Sequence, residues 1–134
     1  KNLLEHLPLV VYQLQKDIDD EFSVIFVNGF VEDFLGYSPQ EVNDKNLILN
    51  NIHEADTSLV YGAINTFIKE RKQNFRLVYR MYGKDKKLLT VVNRGSVVAD
   101  NFGNVSVEGT IVDVTYVMNH GSVQNENDLL HLYH

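Results

Sequence analysis

Cysteine and tryptophan are both absent from the 134 residues of this chain. Without cysteine the protein can form no disulfide, offer no thiolate nucleophile and build no thiolate metal site. No apolar run approaches the roughly 18 residues that a membrane-spanning helix needs. The chain begins with Lys1 and has no hydrophobic signal-peptide segment, so we expect it to be a piece of a longer protein.

The composition is that of one globular domain. Hydrophobic residues make up 44% of the chain and charged residues 22%, which permits a substantial core. The formal net charge is -6, and it is unevenly spread. Residues 1–66 hold 3 basic and 11 acidic side chains, whereas residues 67–134 hold 9 basic and 7 acidic ones. Because an acidic chain binds a phosphate backbone poorly, we expect no nucleic-acid partner.

Five strands are predicted, over residues 8–15, 22–28, 74–82, 88–99 and 105–115, and the first and third of them alternate from one face to the other. Aromatic and β-branched residues dominate the second of them, as expected for a pleated and largely buried surface. The acidic residues 17–21 are too charged for a strand and predict a hairpin loop.

Helical spacing of apolar residues replaces this alternation after the second strand. Residues 30–35 predict a short helix, which Asn28 can cap and which Gly36 ends in a left-handed conformation. Ser-Pro-Gln-Glu at residues 38–41 has the pattern of a capping box and predicts the start of a second helix. We expect another helical turn over residues 46–52.

A longer helix is predicted over residues 54–72. Its apolar stripe consists of Leu59, Val60, Ala63, Ile64, Phe67 and Ile68. Gly62 lies inside this helix, where glycine costs about 1 kcal/mol relative to alanine. We therefore expect Gly62 to mark a close approach to another part of the fold.

The predicted order of elements is β-β-α-α-α-α-β-β-β. Strands joined by short connections pair antiparallel. Because the helices form one block between the two groups of strands, the fold class is α+β and not a wound βαβ sheet.

Four motifs stand in order on these elements. Phe-Val-Asn-Gly-Phe at 26–30 leads into Phe-Leu-Gly-Tyr-Ser-Pro-Gln-Glu at 34–41. Ile-His-Glu-Ala-Asp at 52–56 precedes the long helix, Tyr-Arg at 79–80 precedes a charged turn, and Gly-Thr-Ile-Val-Asp-Val-Thr occupies 109–115. Together these motifs resemble the PAS, or sensory box, family of the PAS/PAC type found in bacterial signalling proteins. The resemblance covers residues 4–115 and departs from the family at Glu54, where proline is usual.

This resemblance implies a PAS fold, a five-stranded antiparallel sheet with helices across one face that can enclose a cavity. It further implies a signal-sensing and relay module that forms a homodimer and is attached to an output domain, such as a histidine kinase or a diguanylate cyclase. Residues 1–115 would be the sensor domain, residues 1–7 a flanking helix or cap, and residues 116–134 a linker or tail. The expected location is the cytoplasm, including the cytoplasmic part of a membrane-bound sensor.

Two interpretations of the interior stay open. In one, a small and partly apolar ligand binds between the helices and the sheet; in the other, side chains fill the space and the chain is a ligand-free interaction or adaptor domain. The candidate pocket residues are Phe26, Phe30, Phe34, Tyr37, His53, Ile64, Phe67, Leu77, Tyr79 and Asn93. The polar anchors would be Tyr37, Tyr79, Asn93 and Arg94, although a one-residue slip in register would reverse the face of the last two.

Catalytic and cofactor motifs are absent from the sequence. There is no P-loop, no G-x-G-x-x-G and no G-x-S-x-G, so we expect no enzymatic activity of this fragment. Light-type flavin chemistry needs a cysteine adduct and is excluded. Haem is disfavoured because His53, the one histidine away from the ends of the chain, precedes the long helix and does not lie within it. We expect no metal site, and the ligand stays unknown.

Signal relay is expected at the end of the last strand. The resemblance implies that Asp113 and Thr115 form a junction there, which passes a change to the output domain. The tail 116–134 shows no continuous heptad pattern. For the dimer we expect the outer face of the sheet, with Val78, Tyr82 and Val98, together with Leu3, Leu4 and Leu7.

Overall fold

The computed structural model describes residues 9–17 and 19–115. Its elements in chain order are β1 (Val10–Lys16), β2 (Phe22–Val27), α1 (Val31–Leu35), α2 (Pro39–Lys45), α3 (Leu47–Asn50), α4 (Thr57–Glu70), β3 (Phe75–Tyr82), a 3₁₀ turn (Lys84–Lys86), β4 (Leu88–Ala99) and β5 (Val105–Asp113). The predicted order is confirmed, and the bounds agree to within about three residues. The flanking segment 1–7, with its three leucines, and the tail 116–134 lie outside the described residues.

The five strands form one antiparallel sheet in the order β2-β1-β5-β4-β3. The first strand of the chain therefore lies between the second and the last. Two cross-strand rows run through the inner face, the face that packs against the helices. One joins Tyr12, Gly109, Gly95 and Phe75, and the next joins Val10, Ile111, Asn93 and Leu77.

The core lies between the inner face and the helices. Alternate residues of each strand are buried there, as the period of two requires. From β1 these are Val10, Tyr12 and Leu14, and from α4 they are Val60 and Ile64. No helix in the part of the chain that the structure describes is long and apolar enough to cross a membrane.

The two edge strands of the sheet are β2 and β3. Residues from the helical segment that connects them bond to part of each edge. At β3, Ile52 bridges Met81, the His53 N–H donates to the Arg80 carbonyl at 2.9 Å, and the Tyr82 N–H donates to the Asn51 carbonyl at 2.7 Å. Bonds of this kind satisfy backbone groups that an edge strand otherwise leaves open.

At β2 a single side chain, that of Asn46, bonds to the open backbone groups of the edge strand. Asn46 ends α2 in the left-handed conformation, with φ of 55°. Its Oδ1 accepts from the Val24 N–H at 3.2 Å, and its Nδ2 donates to the Phe22 carbonyl at 2.9 Å. The amide thus imitates a neighbouring strand and fixes α2 to the sheet.

Asn28 does not cap α1, so that prediction is wrong. The buried side chain turns back to β1, where Oδ1 accepts from the Val11 N–H at 2.9 Å and Nδ2 donates to the Leu9 carbonyl at 2.8 Å. It extends the pairing of β1 with β2 past the end of β2. The left-handed Gly36, with φ of 83°, and the Ser38–Glu41 capping box are both confirmed.

Gly62 does not mark a close approach either. A Cβ atom at this position would meet nothing within 4 Å, and Leu59 one turn earlier is exposed. This side of α4 faces solvent, because the buried stripe of the helix runs through Val60 and Ile64. Periodicity predicted an apolar stripe on α4 that is wider than the buried one, because it included the exposed Leu59.

A buried hydrogen-bonded triad and a strand-end junction

Three polar side chains meet on the inner face of the sheet. The Tyr12 hydroxyl of β1 donates to Asn93 Oδ1 of β4 at 2.7 Å, and Asn93 Nδ2 donates to the Tyr79 hydroxyl of β3 at 3.0 Å. All three side chains are buried. We call Tyr12, Asn93 and Tyr79 the triad. It crosses from one side of the sheet to the other, although its members lie up to 81 residues apart in sequence.

Two glycines on the central strands make room for the triad and the ring beside it. A Cβ at Gly109 would lie 2.6 Å from the Tyr12 hydroxyl, and a Cβ at Gly95 would lie 2.7 Å from Cζ of Phe75. Gly95 and Gly109 pair directly across β4 and β5. The two rings therefore lie flat over positions where any other residue would place a side chain.

Burial keeps both phenols of the triad protonated. It raises the pKa of Tyr79 to about 12 and raises the pKa of Tyr12 as well, although the bond from Asn93 acts in the other direction at Tyr79. Burial disfavours the charged phenolate, and this desolvation is the largest cause at both residues. Each hydroxyl thus keeps its proton at neutral pH and stays a hydrogen-bond donor.

The triad has more donors than it uses. Two hydroxyls and one amide supply two O–H and two N–H hydrogens, of which the two bonds use one of each kind. Within the described residues, no protein acceptor receives the Tyr79 O–H or the second Asn93 N–H. Reversing the amide leaves the same count, with the Tyr12 hydrogen unused in place of that of Tyr79.

The predicted pocket residues divide into three groups. Phe34, Ile64, Tyr79 and Asn93 are buried in the core. Phe30, Phe67 and Leu77 are partly buried and pack against the same core. The structure does not place Phe26, Tyr37 or His53 between the helices and the sheet.

The positions of Phe26 and Tyr37 contradict the prediction, because their side chains are 40% and 41% exposed. The β1–β2 register shifts at Gln13 and Leu14, and this irregularity leaves Ile25 and Phe26 both exposed. Tyr37 follows the left-handed Gly36, where the chain turns away from the core.

His53 lies at the edge of the sheet, where its ring stacks on Tyr82 with centroids 5.6 Å apart. Its Nδ1 accepts from the Ala55 N–H at 3.0 Å, within the turn that precedes α4, and does not cap the helix. Arg94 pairs with Arg76 on β3 and points to the face opposite Asn93, so it is no anchor of the triad.

Tyr12 is the member of the triad that sequence reasoning missed. It alternates with Val10 and Leu14 on a predicted strand, and both neighbours are buried. A tyrosine on a buried strand face needs a partner for its hydroxyl, so its position was a usable signal.

A second polar cluster lies outside the core and joins the start of α4 to β3. Asp56 accepts from the Arg80 backbone N–H at 2.9 Å, from Nε at 3.0 Å and from Nη2 at 2.8 Å. The hydrogen bonds from Arg80 lower the pKa of Asp56 to about 2. The neighbouring Glu54 carboxylate accepts from the Tyr82 hydroxyl at 3.0 Å. Glu54 and Asp56 therefore attach this segment to β3.

The strand-end junction is built on Thr90 of β4. Thr115 Oγ1 accepts from the Thr90 N–H at 2.7 Å, and the Val114 N–H donates to the Thr90 carbonyl at 2.9 Å. Asp113 Oδ1 accepts from the Thr115 N–H at 2.9 Å and closes the turn after β5. Thr90 and Asn93 lie on the same strand, so β4 carries both the junction and the centre of the triad.

Four surface clefts of about 320 to 570 Å³ open on the described part of the chain, and Tyr12, Tyr79 and Asn93 line none of these four. Within residues 9–17 and 19–115, no three histidine or acidic side chains are grouped so as to hold a metal ion.

A five-stranded antiparallel sheet with helices packed on one face makes this an α+β domain. The family model described as PAS fold matches residues 24–111. The chain belongs to the PAS fold family. No curated protein sequence matches it significantly.

Solved PAS structures share the fold at low sequence identity. The PAS domain of a protein from Colwellia psychrerythraea is 15% identical, with a TM-score of 0.70 over 84% of this chain and 92% of that one. The N-terminal domain of a diguanylate cyclase with PAS/PAC sensor from Marinobacter aquaeolei is 14% identical, with a TM-score of 0.65 over 81% and 97%. A sensory box histidine kinase/response regulator from Burkholderia thailandensis is 17% identical, with a TM-score of 0.62 over 94% and 87%.

Proposed function

We propose that this chain is the sensory and relay module of a larger signalling protein, and that a small molecule binds beside the triad. Membership of the PAS fold family supports the sensory role. The similarity to domains of a diguanylate cyclase and of a histidine kinase supports an attached output domain of one of these kinds. The chain itself then has no enzymatic turnover.

The main evidence for a ligand is that the triad has two hydrogen-bond donors without a protein acceptor among the described residues. A buried donor without an acceptor costs about 1–3 kcal/mol, so such groups are normally satisfied by protein, water or ligand. These donors suit an uncharged ligand with a carbonyl, ether or hydroxyl oxygen as acceptor, and core side chains would have to move to admit it, because none of the four described clefts reaches the triad. An anion would lose its hydration without a cationic side chain in the triad to compensate.

Relay follows from the position of the triad on β4. Asn93 holds the centre of the triad, and Thr90 on the same strand bonds to Thr115. A ligand that takes hydrogen bonds from Asn93 or Tyr79 acts on the strand that also holds the exit from the domain. Asp113 and Thr115 are the residues through which such a change would reach the linker.

A ligand-free interaction domain is the second candidate. Its support is the density of the core, where Tyr12, Ile64, Met81 and Ile111 are almost completely buried. In this interpretation a water molecule satisfies the leftover donors, and the domain works through assembly alone.

Dimerisation belongs to both candidates, and we place it on the outer face of the sheet. Val78 and Val112 are partly buried there and could contact a partner, whereas Val92 and Val114, against which they pack, are already buried within the chain. Val98 on the same sheet is exposed. Tyr82, in contrast, is engaged with His53 and Glu54 at the edge of the sheet, so we leave it out of the proposed dimer face.

Native mass spectrometry of the full 134-residue chain tests the proposal. We expect a bound small molecule, or a compound from a library of neutral metabolites that raises the melting temperature. Tyr79→Phe should weaken that binding, whereas Tyr37→Phe, which removes a hydroxyl from an exposed side chain outside the core, should not. A chain that retains and accepts no such compound would support the ligand-free candidate instead.

A further inference from the structure

The largest of the described clefts lies away from the triad, between the β1–β2 hairpin and the helices α3 and α4. Its volume is about 570 Å³, within the range of small-molecule sites. Its lining residues are Lys16, Asp20, Glu21, Phe22, Asn46, Asn50, Tyr61 and Asn65. The function proposed above does not use this cleft.

Two aromatic rings form its apolar wall. Phe22 of β2 and Tyr61 of α4 meet edge to face, with ring centroids 5.8 Å apart. On the Phe22 ring lies the ammonium group of Lys16, 5.2 Å from the centroid. These contacts hold the hairpin against α4 and give the cleft a rigid side on which the body of a ligand can rest.

The amide and hydroxyl groups of the cleft differ in how far they are already used. Both ends of the Asn46 amide bond to β2, so Asn46 is structural. Asn50 Nδ2 donates to the Lys45 carbonyl, which leaves its Oδ1 available. Within residues 9–17 and 19–115, the Asn65 amide and the Tyr61 hydroxyl have no protein hydrogen-bond partner.

The charges of the cleft are predominantly negative. Lys16 is paired with Asp20 at 3.2 Å, whereas Glu21 has no ion-pair partner among the described residues. Burial raises the pKa of Tyr61, and the nearby Glu21 carboxylate raises it further. The carboxylate and the phenol line the same cleft. The available atoms are mainly acceptors, next to one unneutralised acid.

We propose that this cleft binds a small hydroxylated amine. The ammonium group lies beside Glu21, and the hydroxylated body rests against Tyr61 with hydrogen bonds to Asn50 and Asn65. An ammonium group supplies three donors and a positive charge, which matches an acceptor-rich cleft with a free carboxylate. Hydroxyl groups both donate and accept, as the side-chain amides do.

Calorimetric titration of the full chain with glucosamine tests this inference. Glucose has the same ring without the charge, and gluconate carries the opposite charge. We expect glucosamine to bind, glucose to bind about tenfold or more weakly, and gluconate not to bind, because a charge-assisted hydrogen bond is lost. Glucosamine should shift the side-chain amide NMR signals of Asn50 and Asn65 and leave that of Asn93 unchanged.

Two variants locate the charge. Glu21→Gln should weaken glucosamine binding by about tenfold, because it replaces an ionic acceptor by a neutral one. Glu70→Gln at the end of α4 is the matched control and should not change the affinity. Thermal melting verifies that both variants are folded. Equal affinity for glucosamine and glucose, no binding of glucosamine, or binding that is unaffected by Glu21→Gln would each overturn the proposal.

Discussion

Arg80 holds Asp56 through both its backbone N–H and its guanidinium group, at distances of 2.8 to 3.0 Å. The two residues lie 24 positions apart, and their contact joins the start of α4 to β3. A carboxylate bound by a guanidinium fork has a strong and directional ion pair. This contact therefore sets where the longest helix begins relative to the sheet.

Asp56→Asn should destabilise the fold at neutral pH and have little effect in strong acid. The folded-state pKa of Asp56 is about 2, below its usual value of 3.8, so ionised Asp56 stabilises the folded state above about pH 4. That contribution is lost as the pH falls from about 4 to 2. We expect about 1–2 kcal/mol at pH 7, reduced by solvent because the Arg80 side chain is 43% exposed. Urea unfolding at pH 7 and pH 2 measures it.

The exposed Asp44→Asn is the control for this pH dependence. A loss of stability in Asp56→Asn that is the same at pH 2 and pH 7 would show that the ion pair does not contribute.

Tyr79→Phe should destabilise the protein by about 1–3 kcal/mol, because the Asn93 N–H then loses its acceptor in a buried place. Tyr61→Phe removes a hydroxyl that has no protein partner in the described chain and should change stability by less than about 0.5 kcal/mol. Denaturant unfolding of the two variants gives the comparison. If Tyr79→Phe were as stable as the unmodified chain, water would already reach the triad and the count of unused donors would lose its meaning.

Two glycine-to-alanine variants should have opposite effects. Gly109→Ala places a Cβ 2.6 Å from the Tyr12 hydroxyl and 2.7 Å from the Arg94 carbonyl, so we expect a loss of about 1–3 kcal/mol from overpacking. Gly62→Ala meets nothing within 4 Å and should stabilise α4 by about 1 kcal/mol. Thermal melting measures both shifts. A destabilised Gly62→Ala would restore the close approach that the sequence predicted there.

Local periodicity predicted most of the fold. β4 spans Leu88–Ala99, as predicted, because a segment rich in leucine and valine is bounded there by two turns rich in charged and polar residues. The prediction for Phe26 was wrong because the register irregularity at Gln13 and Leu14 depends on pairing between strands. The prediction for Asn28 was wrong because its hydrogen-bond partners belong to β1 and to the residue before that strand, whereas a capping pattern depends only on the residues that follow.

Candidate site residues were predictable where strand alternation decides the face. Tyr79 was expected inside and is buried, whereas the face of Asn93 stayed open in the sequence and the strand register buries it. Their mutual bond and the part of Tyr12 were not expected, because register between distant strands determines which polar groups meet. The Asp56–Arg80 pair was not predicted for a similar reason. It forms because residues 51–53 bond to the edge of β3, and no local pattern shows this contact.

Thr115→Val should loosen the junction at the end of β5 and leave the core intact. The change removes the oxygen that accepts from the Thr90 N–H at 2.7 Å, and it preserves the shape of the side chain. We expect faster hydrogen exchange at the Thr90 amide and a loss of stability of about 1 kcal/mol, since solvent can partly replace the bond. Thr66→Val on α4 removes only a bond to the Gly62 carbonyl and should leave Thr90 exchange unchanged. Unchanged exchange at Thr90 in Thr115→Val would mean that the backbone bond from Val114 holds the junction alone, and that the Thr115 hydroxyl has no part in relay.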